Sequence, residues 1–208
     1  MIQMAENAKN HPPHFSNAAF DIVAIAASAG GLTAIVKVLS TLPAKFPAAI
    51  VIVQHLAPEY PSFMAEILGR RTHITVKQAE EGDSLTPGTA YVAPPDRHLL
   101  VNGDGTLSLS QSELVHFLRP SADLLFESIA ATYKDRAIAV VLTGTGSDGA
   151  MGVKAIKKMG GTVIVQDIKT AEFSGMPSAA VQTGNVDFIL PLDKISSTLV
   201  TLVMEESN

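Results

Sequence analysis

The stretch DIVAIAASAGGLTAIVKVLSTL, residues 21–42, decides the fold. Its first part, IVAIAA (22–27), is an apolar run without polar alternation, as expected of a strand buried on both faces. The run stops at Ser28-Ala29-Gly30-Gly31. Leu32, Ile35, Val36 and Leu39 then recur at helical spacing, and Pro43 and Pro47 break the chain. AAIVIVQ (48–54) reads as a second buried strand. The same alternation returns in AIAVVL (137–142), a glycine-rich loop, a helix over 150–159 closed by Gly160-Gly161, and TVIVQ (162–166). Strands alternating with helices predict an α/β fold of βαβ units with a mostly parallel sheet.

Between these blocks the pattern predicts a short helix over 60–68 and strands at 74–79, 89–94, 98–101 and 106–110. Asn102-Gly103-Asp104-Gly105 is turn chemistry, so the last two strands form an antiparallel mid-chain hairpin. Ser121 opens a helix to Tyr133 and is placed to cap it. A turn at Gly175-Met176-Pro177, a helix to about Gln182, the strand VDFIL (186–190) and a helix over 192–203 complete the pattern. Residues 1–19 have no periodicity and contain Pro12 and Pro13; they read as a flexible tail, with His11 and His14 solvated. Residues 20–204 form the expected single domain, and 205–208 a short tail.

Composition narrows the function classes. Of 208 residues, 47% are hydrophobic and only 17% charged, which excludes disorder over most of the chain. The net charge is −5 and no Lys/Arg cluster stands out, so a nucleic-acid surface is not expected. With no cysteine there is no disulfide and no thiolate nucleophile or ligand. No apolar stretch reaches the ~18 residues of a membrane span, and Met1 to Phe20 is not built as a secretory signal. A cytoplasmic location without membrane insertion is expected. No metal-binding spacing appears, and neither a metal nor a cofactor is expected.

In open α/β sheets, ligands bind beyond the carboxyl ends of the strands. Directly past the three most apolar strands lie Ser28, His55 and the loop Thr143-Gly144-Thr145-Gly146-Ser147-Asp148-Gly149. A serine hydroxyl needs a base to become a nucleophile, imidazole is the base that titrates near neutrality, and a carboxylate fixes its tautomer. The glycine-rich turn after Ser28, with Ala29 and Gly30, is a source of N–H donors for an oxyanion. Each residue also has a local reading: Ser28 as cap of the 32–42 helix, Asp148 as cap of the 150–159 helix, His55 as a strand-end histidine. His98, in PPDRH, is a rival base, while His73 and His116 read as surface residues. Gly144 to Gly149 also matches G-x-G-x-x-G after a strand, with Asp167 at the ribose position, which defines a competing nucleotide-binding module. Asp148 inside that loop would repel a pyrophosphate.

Six blocks in order, IAASAGG (25–31), VQHL (53–56), LTPGTAYVAPPDRH (85–98), LRPSADLLF (118–126), LTGTGSDGAMG (142–152) and FSGMPSAA (173–180), resemble the chemotaxis receptor methylesterase family, the CheB catalytic domain. The resemblance spans about residues 21–203. It implies a three-layer, doubly wound α/β domain that hydrolyses γ-glutamyl methyl esters on the helical cytoplasmic region of chemoreceptors, giving glutamate and methanol. Many members also deamidate receptor glutamines. By motif, it implies Ser28 as nucleophile, His55 as general base, Asp148 as orienting acid and the Thr145 backbone as part of the oxyanion site. Ala26, Ala29, Thr145 and Leu118 depart from the common family residues Gly, Thr, Met and His, and none removes a triad member. About twenty residues precede the first strand, too few for the receiver domain of many members. A catalytic domain without phosphorylation control in cis is therefore expected, with a separate regulatory protein in trans as one alternative. A non-catalytic receptor-binding domain is another. Arg70, Arg71, Arg97 and Arg119 are candidates for a basic docking rim; Arg97 and Arg119 serve equally as structural ion pairs.

Overall fold

A computed structural model describes residues 11–55 and 62–204. Seven parallel strands form the central sheet: β1 (Ile22–Ala27), β2 (Ala49–Gln54), β3 (Thr75–Gln78), β4 (Thr89–Val92), β7 (Ala137–Val141), β8 (Thr162–Gln166) and β9 (Phe188–Leu190). Their order is β3-β4-β2-β1-β7-β8-β9. The hairpin β5 (His98–Val101) and β6 (Leu107–Ser110) pairs antiparallel as a separate ribbon. The helices are α1 (Gly31–Leu39), α2 (Met64–Gly69), α3 (Ala122–Tyr133), α4 (Ala150–Lys158), α5 (Gly175–Gln182) and α6 (Leu192–Met204).

The apolar runs have the burial their composition demands. Every residue of β1, β2 and β7 is buried, and the two-residue period sorts them onto two faces. Val23, Ile25 and Ala27 face α1, α2 and α6 in one core. Ile22, Ala24 and Ala26 face α3, α4, α5 and the hairpin in the other. This is the three-layer, doubly wound arrangement. Connections from β1 wind toward β2 and those from β7 toward β8, so the order reverses between β1 and β7. The carboxyl edge there is the switch point, where a crevice forms outside the strands.

Several elements differ locally from expectation. The helix expected over 60–68 begins at Met64, whose N–H donates to Ser62 Oγ at 3.2 Å; residues 60 and 61 lie outside the described residues. The first helix stops at Leu39, short of Pro43. Within the stretch 1–19, residues 1–10 are likewise outside the described residues, but residues 14–19 carry specific bonds. Asp21, fully buried, accepts from the Phe15 N–H at 2.8 Å and from Arg136 Nε and Nη2 at 2.6 and 2.9 Å, and lies 2.7 Å from His14 Nδ1. The Ala19 N–H donates to the Val203 carbonyl. His14 is thus paired with a carboxylate rather than only solvated.

Tyr133, 3% exposed, ends α3 with its hydroxyl buried and without a partner among the described residues. Burial, followed by the charges of Asp21 and Asp104, pushes its pKa up. An orphaned buried hydroxyl costs desolvation without return. Tyr133→Phe is therefore expected to leave stability unchanged or raise it by about 1 kcal/mol, read as a melting temperature no lower than wild type.

Candidate active site

The parallel ladder runs one rung past the named strands and sets the first two groups side by side. β1 pairs with β2 up to Ala27 and Gln54. The His55 N–H then donates to the Ala27 carbonyl at 3.1 Å, and the Ser28 N–H to the Thr143 carbonyl at 3.0 Å. Ser28, His55 and Thr143 thereby leave three adjacent strands at one level. Among the described residues, Ser28 Oγ makes no hydrogen bond.

The third group arrives from the β7–α4 loop. His55 Nε2 and Asp148 Oδ2 are 2.7 Å apart, and both side chains are largely sealed from solvent. The hydroxyl, imidazole and carboxylate expected from sequence are therefore brought to one edge, with the last two in direct contact. With Nε2 donating to the carboxylate, Nδ1 is the basic nitrogen of the imidazole.

Asp148 caps a helix, but not its own. The residue before α4 is Gly149, with φ 96° and no side-chain cap. Asp148 instead accepts from the Ala122 and Asp123 N–H groups of α3 at 2.6 and 3.0 Å, and from Ser121 Oγ at 2.9 Å. Ser121 sits at the N-cap of α3 as expected, but its hydroxyl is turned to the carboxylate and makes no cap bond. Burial opposes ionisation of Asp148, yet the bonds from His55, Ala122 and Asp123 outweigh it and hold its pKa below the ordinary value. The neighbouring Asp123, also buried, is shifted the other way: burial raises its pKa, the charge of Asp148 adds to this, and the N–H of Gly152 opposes it.

Ser28 is not a helix cap either. The α1 N-cap is Gly30, without a side-chain bond. The turn after Ser28 closes by the Gly31 N–H donating to the Ser28 carbonyl at 2.8 Å, and the Ala29 and Gly30 N–H groups have no partner among the described residues. Thr145 is exposed in the facing loop, and its N–H is equally unpaired among the described residues. These donors suit a developing oxyanion. Gly144 allows the two loops to meet: a Cβ there would collide with Met176 Sδ and come within 2.9 Å of Ser28 Cβ.

His98, the rival base, is fully buried. Its Nδ1 accepts from the Ser121 N–H at 3.1 Å and its Nε2 lies 3.1 Å from the Glu113 carbonyl. Accepting at Nδ1 fixes the neutral tautomer with the proton at Nε2. The ring has no contact with solvent and no free nitrogen, so it supports Ser121, one bond from Asp148, and is not itself a base. Arg119 is committed to Asp96 and to the Gln111 and Ser112 carbonyls, and Arg70 to Glu66.

Three supporting residues carry no sequence signal that assigns them to the site. Gln54, buried at the end of β2, donates through Nε2 to the carbonyls of Ser28 (2.7 Å) and His55 (3.1 Å), tying the end of β1 to the end of β2. Its signal was a polar residue closing an apolar strand. Gln166 does the same for β8, accepting from the Thr143 N–H at 2.8 Å. Ser121 was visible only as a local cap. Ser121→Ala removes one donor to Asp148 and keeps the two backbone ones, so kcat is expected to fall about tenfold with KM unchanged, measured by product release.

A doubly wound α/β protein with a serine, a histidine and an aspartate converging at its switch point belongs to the hydrolase-like architectures. Comparison with known proteins narrows the class. Residues 23–199 match the CheB methylesterase family model, and the chain belongs to that family. It is 44% identical over 183 residues to a putative protein-glutamate methylesterase/protein-glutamine glutaminase of Leptospira interrogans, covering 88% of this chain and 95% of that protein. It is 43% identical over 184 residues to the protein-glutamate methylesterase/protein-glutamine glutaminase of Pyrococcus horikoshii, covering 87% of this chain and 50% of that one. The crystal structure of the Thermotoga maritima CheB methylesterase catalytic domain superposes with a TM-score of 0.85 at 38% identity, over 89% of this chain and all of that one. Among the described residues no helix is long and apolar enough to cross a membrane, and no group of His, Asp and Glu is arranged to hold a metal.

Proposed function

We propose that this protein hydrolyses glutamate γ-methyl esters on the helical cytoplasmic region of chemoreceptors, releasing methanol, and deamidates glutamine at such positions, releasing ammonia. The observation that carries the reading is the 2.7 Å His55–Asp148 pair beside Ser28 at the switch point, in a chain whose relatives bear these activities in their names. In this reading Nδ1 of His55 takes the Ser28 proton as Oγ attacks the γ-carbonyl carbon. Charge develops on the carbonyl oxygen, facing the unpaired N–H groups of Ala29, Gly30 and Thr145. The tetrahedral intermediate collapses, methanol leaves with the proton from His55, and an acyl ester on Ser28 remains. Water attacks that ester with His55 again as base, Ser28 recovers its proton, and glutamate is freed. Asp148 holds the ring in one tautomer and stabilises the imidazolium. A cytoplasmic location follows from this substrate.

The test is methanol release from a methylated chemoreceptor cytoplasmic fragment incubated with the purified protein, with ammonia measured in parallel on the glutamine form. Methanol from the ester form and ammonia from the glutamine form are the expected products. If neither product forms, while the fragment still binds, the non-catalytic receptor-binding reading replaces this one.

A further inference from the structure

One acidic side chain at the carboxyl edge takes no part in the chemistry above. Glu172 lies in the connection between β8 and α5, and its neighbours clamp that connection to the site. The Phe173 N–H donates to Thr143 Oγ1 at 2.9 Å, the Gly144 N–H to the Phe173 carbonyl at 3.0 Å, and Gln166 Nε2 to the Thr170 carbonyl at 2.9 Å. The clamp lays the Glu172 carboxylate over the serine turn. Gly30 has φ 74°, and a Cβ built on it would stand 2.7 Å from Glu172 Oε2. Gly30 is two residues past Ser28, a span of at most about 7 Å. The carboxylate is thus within about 11 Å of the Ser28 α-carbon, a distance at which salt attenuates its field without abolishing it. Among the described residues Glu172 is in no ion pair.

We infer that Glu172 is a specificity-determining residue: its carboxylate, held beside the serine turn, admits a neutral γ-ester or γ-amide and expels the anionic glutamate that hydrolysis makes of it. The inference rests on the esterase reading of the site and adds to it a means of separating substrate from product. Ester and amide are uncharged, whereas the product carries a full negative charge. During attack the serine proton stays in the site on His55 as the carbonyl oxygen becomes negative. The net charge facing Glu172 is then unchanged, and its field meets only a dipole. After hydrolysis the serine proton has left on methanol, one proton of the attacking water has restored Ser28, and the new carboxylic acid has lost the other to solvent, so the site holds one more negative charge. Glu172 therefore acts on the product far more than on the transition state. Repulsion over such a distance through a solvent-accessible site corresponds to about a three- to fivefold change in affinity.

The experiment is calorimetric titration of Ser28→Ala protein, whose turnover is expected to be too slow to convert the ligand during the titration, with a chemoreceptor cytoplasmic fragment whose target position is glutamine or glutamate. The glutamate form is expected to bind more weakly. Adding Glu172→Gln should reduce the ratio of the two dissociation constants about three- to fivefold, and Glu172→Lys about tenfold or more, with the glutamine form binding as before. Raising salt to about 0.5 M should erode the ratio in protein retaining Glu172 and leave it nearly unchanged in Glu172→Gln. Glu172 is exposed, so neither substitution threatens the fold. A ratio that stays constant across both variants overturns the inference and leaves the esterase reading standing. If neither fragment binds, the esterase reading fails, and this inference with it.

Discussion

Ser28→Ala should reduce methanol release about 10³-fold or more while the melting temperature stays within about 2 °C of wild type. The two halves of this expectation come from different atoms of the same residue. The backbone of Ser28 is structural: its N–H donates to Thr143, and its carbonyl accepts from Gly31 and from Gln54 Nε2. Alanine keeps all of these. The side chain is bound to nothing among the described residues, and the cap of α1 falls to Gly30. Removing Oγ therefore costs no cap and no buried hydrogen bond, and takes away only the atom proposed to form the acyl intermediate. A capping serine would behave in the opposite way, losing about 1 kcal/mol of stability on truncation with activity retained. Measuring both quantities on one preparation separates the two roles. Unchanged methanol release from the alanine variant would end the assignment of Ser28 as nucleophile.

How much of this was legible in the sequence depends on whether the signal was local. The apolar runs 22–27, 48–54 and 137–142 announced strands buried on both faces, and all three lie at the centre of the sheet. The polar residues directly past them include Ser28, His55 and Asp148, which meet at one edge because a parallel sheet puts all its carboxyl ends there. What a linear reading could not reveal was which helix a capping group serves. Asp148 lies two residues before α4 and looks like its cap, yet it satisfies N–H groups of α3, more than twenty residues earlier in the chain. Ser121 looks like the cap of α3, yet it yields that place to Asp148 and donates to it. Cap preferences record which side chains can accept near a helix start, and they carry no information about an acceptor arriving from another strand. His98 was ambiguous for the same reason. Position next to an apolar strand gave no means of telling a reactive imidazole from a sealed one, and the difference lies in two hydrogen bonds to residues 15 and 23 positions away.

Because Asp148 serves two masters, its substitutions should split according to what the new side chain can accept. In Asp148→Ala the Ala122 and Asp123 N–H groups and the Ser121 hydroxyl all lose their buried acceptor, and His55 loses its partner. Breaking a buried, hydrogen-bonded charge site costs about 3–5 kcal/mol, or a fall of about 10 °C in a chain of this size, and kcat should fall roughly 10⁴-fold. Asp148→Asn keeps an oxygen at the Oδ1 position that accepts from the Asp123 N–H and the Ser121 hydroxyl, so most of the stability should survive the loss of the Ala122 bond at Oδ2. Its amide, however, presents N–H where the imidazole donates, and the ring must turn to the other tautomer. Activity should then fall about as far as in the alanine variant, with a loss of melting temperature less than half as large. The difference between wild type and Asp148→Asn should also depend on pH. The Asp148 carboxyl is held below its unfolded pKa, so its contribution is complete above the ordinary carboxyl range, near pH 4, and is lost as pH falls through the lowered folded value. Denaturant titrations at pH 7 and pH 3 should therefore show the stability gap between the two proteins shrinking at the lower pH. A gap that widened on acidification would mean that Asp148 is protonated in the folded state, and the imidazole would then have no charged partner to orient it.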